Sequence, residues 1–464
     1  MPASDPALLS AEDMLAQFAR RTLSPVEVLQ AVTERVARLN PGLNAFVVMN
    51  PRALDAAAES EMRWRAGRPL GVLDGVPCTV KDLVDLAGFP TRRGSRTSDP
   101  APVHDDAPAV VGLKAAGAVI LGKTTTTEYG WKSPGDCPLH GISRNPWNPA
   151  YTTGGSSSGA GAAGAAGFGP LHIGTDAGGS IRIPAAWCGL VGLKPTFGRV
   201  PIWPASAFPG VSVAGPMTRS VRDAALMLTA MARYDARDPF AMPDEGQDWR
   251  DGIDAGVADL HVGVLRRPGF DAPVDAESVE AVEQAAALLA EAGATVAEAA
   301  PDLPDTRAIF AGVWGASLAR LAASLPEQLR GLLDPGIREV ADRLGDMTAI
   351  QYLDGETLRA AAGHAMARLH QRFDLVLCPT VPGGPPLADA PTVNPVKALW
   401  THWAPWTFTF NLTRQPAITV PLGLRANGLP NAVQIAAAQY REDLVLRAAR
   451  VLEVAEPFPV APLG

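Results

Sequence analysis

The sequence is poor in the features that mark secreted, membrane-bound or nucleic-acid-binding chains. It has four cysteines in 464 residues, Cys78, Cys137, Cys188 and Cys378, and no Cys-x-x-Cys pair. That excludes a disulfide framework and predicts free thiols in a reducing compartment. Neither His-Glu-x-x-His nor clustered Cys/His spacing is present, so no metal site is expected. No apolar run approaches the ~18 residues of a membrane helix. The opening Met-Pro-Ala-Ser-Asp lacks the cationic and apolar regions of a signal peptide. No basic stripe exists either. The net charge is −8, and the basic clusters Arg92-Arg93 and Arg266-Arg267 are short enough to be solvated faces. The expectation is a soluble cytoplasmic protein with no nucleic-acid partner, no membrane partner and no cofactor.

Linkers are missing too. There is no long Ser/Gly or Pro-rich spacer, no charge block and no repeat. The 45 glycines and 43 prolines make up about a fifth of the chain, below the ~25–30% of low-complexity sequence, and indicate many turns. Length alone suggests about three domains of ~150 residues. With nothing to divide the chain, and 47% hydrophobic residues to fill a core, one domain over residues 1–464 is expected.

Periodicity and caps predict alternating elements. Ser10-Ala-Glu-Asp13 and Ser24-Pro25-Val26-Glu27 read as capping boxes before helices over 10–21 and 24–39. Further helices are predicted over 51–66, 107–116, 276–292 (stopped by Gly293) and 441–454. Strands are predicted at 76–80, 119–121, 260–265, 373–378 and 417–420. Strands alternating with helices make an α/β protein around a mostly buried sheet.

Chemistry concentrates in two glycine-rich turns. Gly154-Gly155-Ser156-Ser157-Ser158-Gly159 is followed, 24 residues after Ser156, by Ser180 in Asp176-Ala177-Gly178-Gly179-Ser180-Ile181-Arg182. Lys81 stands upstream in Val80-Lys81-Asp82. Three readings compete. Gly159-Ala160-Gly161-Ala162-Ala163-Gly164 matches the dinucleotide pattern G-x-G-x-x-G, but no strand precedes it, and Ser180 and Arg182 stand where the acid should be. Gly155-Ser156-Ser157-Ser158-Gly159 matches the nucleophile-elbow pattern, but it has no entering strand, and His364 and His370 sit in helix-like stretches without special context. The third reading is a Ser-Ser-Lys site that needs no histidine. Taken singly, its lysine is an ordinary surface residue and its serines are turn residues. The Gly/Ala run 159–169 suits a small-residue helix packed tightly behind the site.

The third reading gains weight from a long pattern. It runs through Pro69-Leu70-Gly71, Gly75-Val76-Pro77, Val80-Lys81-Asp82, Gly94-Ser95, Asp106-Ala107 and Gly122-Lys123-Thr124. It continues through the two serine turns to Ile183-Pro184-Ala185-Ala186, Cys188-Gly189-Leu190-Val191-Gly192-Leu193-Lys194-Pro195-Thr196 and Gly215-Pro216-Met217-Thr218-Arg219-Ser220-Val221. The chain resembles the amidase signature family, strongly over 69–223 and more weakly from 43 to the last helix. The resemblance implies an α/β fold with a large mixed sheet between helices. N-terminal helices would fill 1–68, the signature core 69–223, and a variable part, 224–464, would complete sheet and pocket.

It also implies roles. Ser180 would attack the carbonyl, Ser156 would shuttle the proton, and Lys81 would be the base. Lys81 must then be neutral at rest, which burial can achieve. Ala177, Gly178 and Gly179, with Ser180, would offer backbone N–H groups to an oxyanion. Ser157, Thr175, Asp176 and Arg182 would support the turns, and the Gly155–Ser156 bond would be cis. If the strand persists, Asp82 points away from Lys81.

The implied activity is hydrolysis of carbon–nitrogen bonds in small, largely apolar amides: aryl amides, and carbamates or esters besides. The alternative is a glutamine-hydrolysing component of a tRNA-dependent amidotransferase. The partner is a small-molecule amide or carbamate, and the protein is a monomer or homodimer. The segments 133–140 and 201–208 are candidate pocket loops. Trp400, Trp403, Trp406, Phe408 and Phe410 suggest an aromatic wall, with a buried core segment or an intersubunit contact as the other readings. Two departures from the family pattern, Thr413-Arg414 and Pro430-Asn431-Ala432-Val433-Gln434, weaken transfer of C-terminal substrate contacts.

Overall fold

A computed structural model describes residues 5–268, 270–390 and 404–463. The first two α-helices start where the chain offers caps. Ser10 Oγ accepts from the Asp13 N–H ahead of the helix Ala11–Arg20, and Ser24 and Glu27 close a reciprocal capping box ahead of Pro25–Leu43. The other predicted helices form as Ala53–Arg65, Pro108–Ala115, Ala276–Glu291 and Glu442–Ala455. No helix among the described residues is long and apolar enough to cross a membrane.

Eleven strands among the described residues form one mixed sheet. In chain order they are β1 (Phe46–Met49), β2 (Pro77–Lys81), β3 (Val119–Thr124), β4 (Leu171–Asp176), β5 (Val191–Lys194), β6 (Val213–Thr218), β7 (His261–Leu265), β8 (Thr295–Ala299), β9 (Leu375–Pro379), β10 (Ala417–Leu424) and β11 (Pro430–Ala437). Their order across the sheet is β1-β3-β2-β4-β6-β5-β10-β11-β9-β7-β8. The β3-β2-β4 and β9-β7-β8 blocks are parallel, and antiparallel pairs join them. This is the α/β class expected. β3 outruns its predicted 119–121 because it lies between β1 and β2 and pairs with both.

One register matters for everything that follows. β2 and β4 are parallel neighbours, with Val80 opposite Ile173. Their carboxyl ends, Lys81 on one and Thr175-Asp176 on the other, therefore emerge side by side. Carboxyl strand ends are where α/β sheets usually hold their ligands.

The small-residue run forms the helix Ser158–Ala165, every residue of it buried. Its glycines permit backbone contact. A Cβ on Gly159 would lie 2.2 Å from Ala45 O and 2.4 Å from Thr125 N. The G-x-G-x-x-G match is thus a packed helix interior, with no room for a pyrophosphate.

Of the C-terminal aromatic stretch, Trp400 and Trp403 lie outside the described residues. The remaining three are core. Trp406, Phe408 and Phe410 are at most 1% exposed, and the Phe408 ring stacks 4.8 Å from Phe310. The aromatic wall expected there is, for these three residues, a buried segment instead. Phe408 packs against the helix Thr306–Ser324, whereas Trp406 and Phe410 pack with Met366, Phe373 and Val376.

Two glycine substitutions should move stability in opposite directions. Gly159→Ala forces a methyl into backbone and should cost about 2–3 kcal/mol. Gly363, inside the helix Ala349–Leu369, has nothing within 4 Å of its would-be Cβ. Gly363→Ala should gain up to ~1 kcal/mol from helix propensity. Urea unfolding of the two variants beside the parent would read both signs.

Candidate active site

Lys81 ends β2 fully buried, yet its surroundings are hydroxyls rather than carboxylates. Its Nζ lies 2.8 Å from Ser156 Oγ, 2.9 Å from Ser157 Oγ, 2.8 Å from Thr175 Oγ1 and 3.3 Å from Thr175 O. Burial pushes the Lys81 amine well below the ordinary lysine range, against the pull of the Asp176 charge. Ser157 also ties the two turns together. Its Oγ accepts from Thr175 N–H at 3.3 Å, and its N–H donates to Ser180 O at 3.2 Å. The Gly155–Ser156 peptide bond is cis. Asp82 points away from Lys81 and pairs with Lys123 Nζ at 2.9 Å.

The second turn is built around one carboxylate. Asp176 Oδ1 accepts from Gly179 N–H (2.7 Å), Arg182 Nη2 (3.0 Å) and Asn411 Nδ2 (2.9 Å). Asp176 Oδ2 accepts from Arg182 Nε (3.0 Å) and Ile181 N–H (3.2 Å). Burial alone would push this acid up. The Arg182 charge and hydrogen bonds overcome that and hold it well below the usual carboxylate range. Arg182 spends its remaining donors on the C-terminal part: Thr407 O (2.9 Å), Gln434 Oε1 (2.5 Å) and Asn411 Oδ1 (2.6 Å). Thr407 Oγ1 closes the ring on Gly178 O at 2.6 Å. Gly179 sits at φ +128, where a Cβ would strike Thr407 Oγ1 at 2.3 Å.

This corrects the expectation for Gly179. Its N–H is engaged by Asp176, so its contribution to the turn is conformational. The N–H groups of Ala177, Gly178 and Ser180 donate to no other described residue.

Ser156, Thr175, Ala177 and Ser180 share a cavity of about 240 Å³. Ser180 Oγ makes no hydrogen bond among the described residues, so Lys81 and Ser156 are brought together while the Ser156–Ser180 contact is open. Such contacts often tighten only around substrate. The loop 201–208 lines the cavity as anticipated, through Ile202, Trp203 and Phe208, whereas the loop 133–140 does not. His364 and His370 are also absent from the cavity. His370 is used structurally, with Nδ1 2.9 Å from Phe373 O and Nε2 2.7 Å from Gln415 Nε2.

Several wall residues escaped the sequence reading: Leu83, Arg93, Tyr129, Arg320 and Leu321. Tyr129 has φ 50 and Arg93 φ 52, both left-handed and both non-glycine, and nothing in their local sequence announces that. Behind Tyr129 runs a polar chain. Tyr129 Oη is 2.7 Å from Thr97 Oγ1, which is 2.8 Å from Ser95 Oγ, and Ser95 donates to Glu128 Oε1 at 2.6 Å. Burial raises the Glu128 carboxyl to about 7. Its other oxygen accepts from the Asp334 N–H at 2.6 Å, which anchors the helix Pro335–Leu344.

The amidase family model matches residues 27–446. The chain is 36% identical to an acylamidase of Rhodococcus erythropolis, over 97% of this chain and 96% of that one. It is 32% identical to a glutamyl-tRNA(Gln) amidotransferase component of Geobacter metallireducens, over 98% and 99%. The crystal structure of a bacterial aryl acylamidase of the amidase signature enzymes superposes with a TM-score of 0.89 at 28% identity, covering 98% of this chain and 97% of that one.

The depressed Lys81 amine has a consequence for stability. The unfolded chain keeps this lysine protonated up to ~10.4, and burial lowers that limit in the folded chain, so folding releases a proton at pH values between the lowered limit and ~10.4. Wild-type stability should therefore rise with pH relative to Lys81→Met, by up to ~1.4 kcal/mol per pH unit inside that window. Urea unfolding of both proteins between neutral pH and pH ~9 checks this. A constant difference would mean Lys81 stays protonated when buried.

Proposed function

We propose, for a chain that belongs to the amidase signature family and is therefore an amidase acting on carbon–nitrogen bonds, that it hydrolyses small, largely apolar amides through an acyl-enzyme on Ser180. Aryl amides are the favoured class, with carbamates and esters as further candidates. The observation that carries this reading is a fully buried lysine amine 2.8 Å from the Oγ of Ser156, a residue that lines one cavity with Ser180. The apolar lining by Leu83, Ile202, Trp203 and Phe208 supports the substrate class.

In this mechanism neutral Lys81 accepts the Ser156 proton while Ser156 takes that of Ser180. Ser180 Oγ adds to the carbonyl carbon. The resulting oxyanion is met by N–H groups of Ala177, Gly178 and Ser180, a type of contact worth about 3 kcal/mol per donor. Collapse breaks the C–N bond, and the proton returns along Lys81 and Ser156 to the leaving amine. Water then repeats the sequence on the acyl-enzyme and releases the acid. Asp176 and Arg182 hold the turn without touching the reacting atoms, and Ser157 and Thr175 hold the amine without passing a proton. We place the reaction in the cytoplasm and assign 1–464 to one domain.

A second reading, a glutamine-hydrolysing component of a tRNA-dependent amidotransferase, has the full-length similarity to the Geobacter metallireducens protein in its favour. It differs in needing partner polypeptides.

Amine and ammonia release should be measured from aryl amides, aryl carbamates and free glutamine. We expect aniline release by the chain alone, reduced about 10⁴-fold or more in Ser180→Ala and by a comparable factor in Ser156→Ala. Ser157→Ala should lose activity modestly, since its hydroxyl supports Lys81 without carrying the relay. Full activity in Ser180→Ala would sink the mechanism. Activity on glutamine alone would favour the amidotransferase reading.

A further inference from the structure

The cavity wall has one electrostatic peculiarity. Two arginines, Arg93 and Arg320, line it together with Ser156 and Ser180, and no aspartate or glutamate does so among the described residues. The chain as a whole is acidic, with a net charge of −8. The positive lining is therefore local to this cavity rather than a reflection of composition. Low-dielectric walls around charge of one sign concentrate a field on whatever enters.

Neither guanidinium is saturated by the protein. Arg93 Nη1 donates to Thr91 O at 3.2 Å, and the nearest carboxylate, Asp85, is 4.0 Å from its Nη2. Arg320 Nη2 donates to Ala207 O at 3.3 Å, and it has no ion pair among the described residues. Each arginine has five N–H donors. Each therefore keeps most of a fork suited to a carboxylate. Arg182, by contrast, is fully buried with its donors spent on protein oxygens.

The backbone at Arg93 adds an independent observation. It lies in the left-handed region at φ 52, where glycine or asparagine would be at ease. It is held there by Arg93 N–H donating to Asp82 O at 3.1 Å and Tyr129 N–H donating to Arg93 O at 2.8 Å. Asp82 is the residue after Lys81, so this position is fixed to the strand end that carries the amine. Strained non-glycine residues of this kind cluster where side chains serve a ligand. Arg320 comes from elsewhere in the chain, the helix Thr306–Ser324, and its contact with Ala207 ties that helix to the loop 201–208. Arg320 is exposed and Arg93 half-buried, so an anion between them would stay in contact with water and lose little hydration.

We propose that the substrate carries a carboxylate at the end remote from the scissile carbonyl, read by Arg93 and Arg320 at the solvent side of the cavity. This deepens the amidase reading above and rests on it for the position of the scissile bond. The substrate is then an amide with an apolar or aryl body and an anionic terminus. The arginines select that end, and the apolar wall accepts the body.

The test compares 4-acetamidobenzoate with 4-nitroacetanilide, similar in shape and differing in charge. Affinities are measured by calorimetry on the Ser180→Ala protein, so that turnover does not interfere. The carboxylate should bind about tenfold more tightly, a free-energy difference of about 1.4 kcal/mol. Raising the salt concentration should shrink that preference. Arg93→Asn tolerates the left-handed backbone, and Arg320→Gln keeps a good helix former, so both variants should fold. Each should cut the preference several-fold, and the double variant should bring it to about one. Equal affinities in the parent, no measurable binding of the carboxylate, or a preference indifferent to both substitutions would overturn the proposal. Turnover of both compounds by the unaltered protein is scored separately. A chain that prefers the carboxylate but cleaves neither compound keeps this inference and loses the amidase mechanism.

Discussion

The buried pair of Asp176 and Arg182 is the constraint on which the rest of the site depends. Removing two charges from water is expensive, and only complete satisfaction of both makes it tolerable. Here the carboxylate receives donors from Gly179, Ile181, Arg182 and Asn411, and the guanidinium gives to Thr407, Asn411 and Gln434. Those donors and acceptors come from the signature core and from the last quarter of the chain. The turn carrying Ser180 is thus shaped by residues more than two hundred positions away. Thr407 illustrates the dependence: it holds Gly178 O and occupies the space a side chain at 179 would need.

Two buried lysines on adjacent strands show how partner chemistry sets the state of an amine. Lys81 and Lys123 both lie at 0% exposure, and burial lowers both. Lys123 faces Asp82 at 2.9 Å, and that carboxylate opposes the lowering. Lys81 faces three hydroxyls and a carbonyl, which solvate an amine without insisting that it be charged. Asp82, in the turn that follows β2, is engaged by Lys123 instead, which keeps the one adjacent acid from neutralising the arrangement.

Much of this was legible in the sequence where local rules apply. The N-cap at Ser10 (without the reciprocal half of the expected box), the full capping box at Ser24, the β2 run ending at Lys81 and the Gly/Ala helix all follow from short-range chemistry. The grouping of Lys81, Ser156, Ser157 and Thr175 was anticipated through the long motif pattern rather than through any one residue. Long-range closure was the part that stayed hidden. Nothing near Thr407, Asn411 or Gln434 says that they complete a turn around Asp176. The aromatic stretch misled for a related reason: tryptophan and phenylalanine suit a pocket wall and a core equally, and only packing decides. The donor role of Gly179 failed because a motif cannot show that a neighbouring carboxylate has already taken an N–H group.

The helix Ser158–Ala165 divides the molecule by its capacity to change. Its glycines meet backbone atoms of Ala45 and Thr125, and Leu190 and Cys188 side chains, with no slack for larger residues. The floor beneath the serines is consequently frozen: almost any drift there displaces main chain. The opposite holds for the loop 201–208 and the outer surface of the helix Thr306–Ser324, where side chains meet the cavity without supporting the sheet. That second surface is where the substrate range can change with least disturbance of the sheet. Libraries directed at Ile202, Trp203 and Arg320 spare both the sheet and the buried cluster of Phe208 and Leu321, whereas libraries directed at the glycine turns force side chains into main chain.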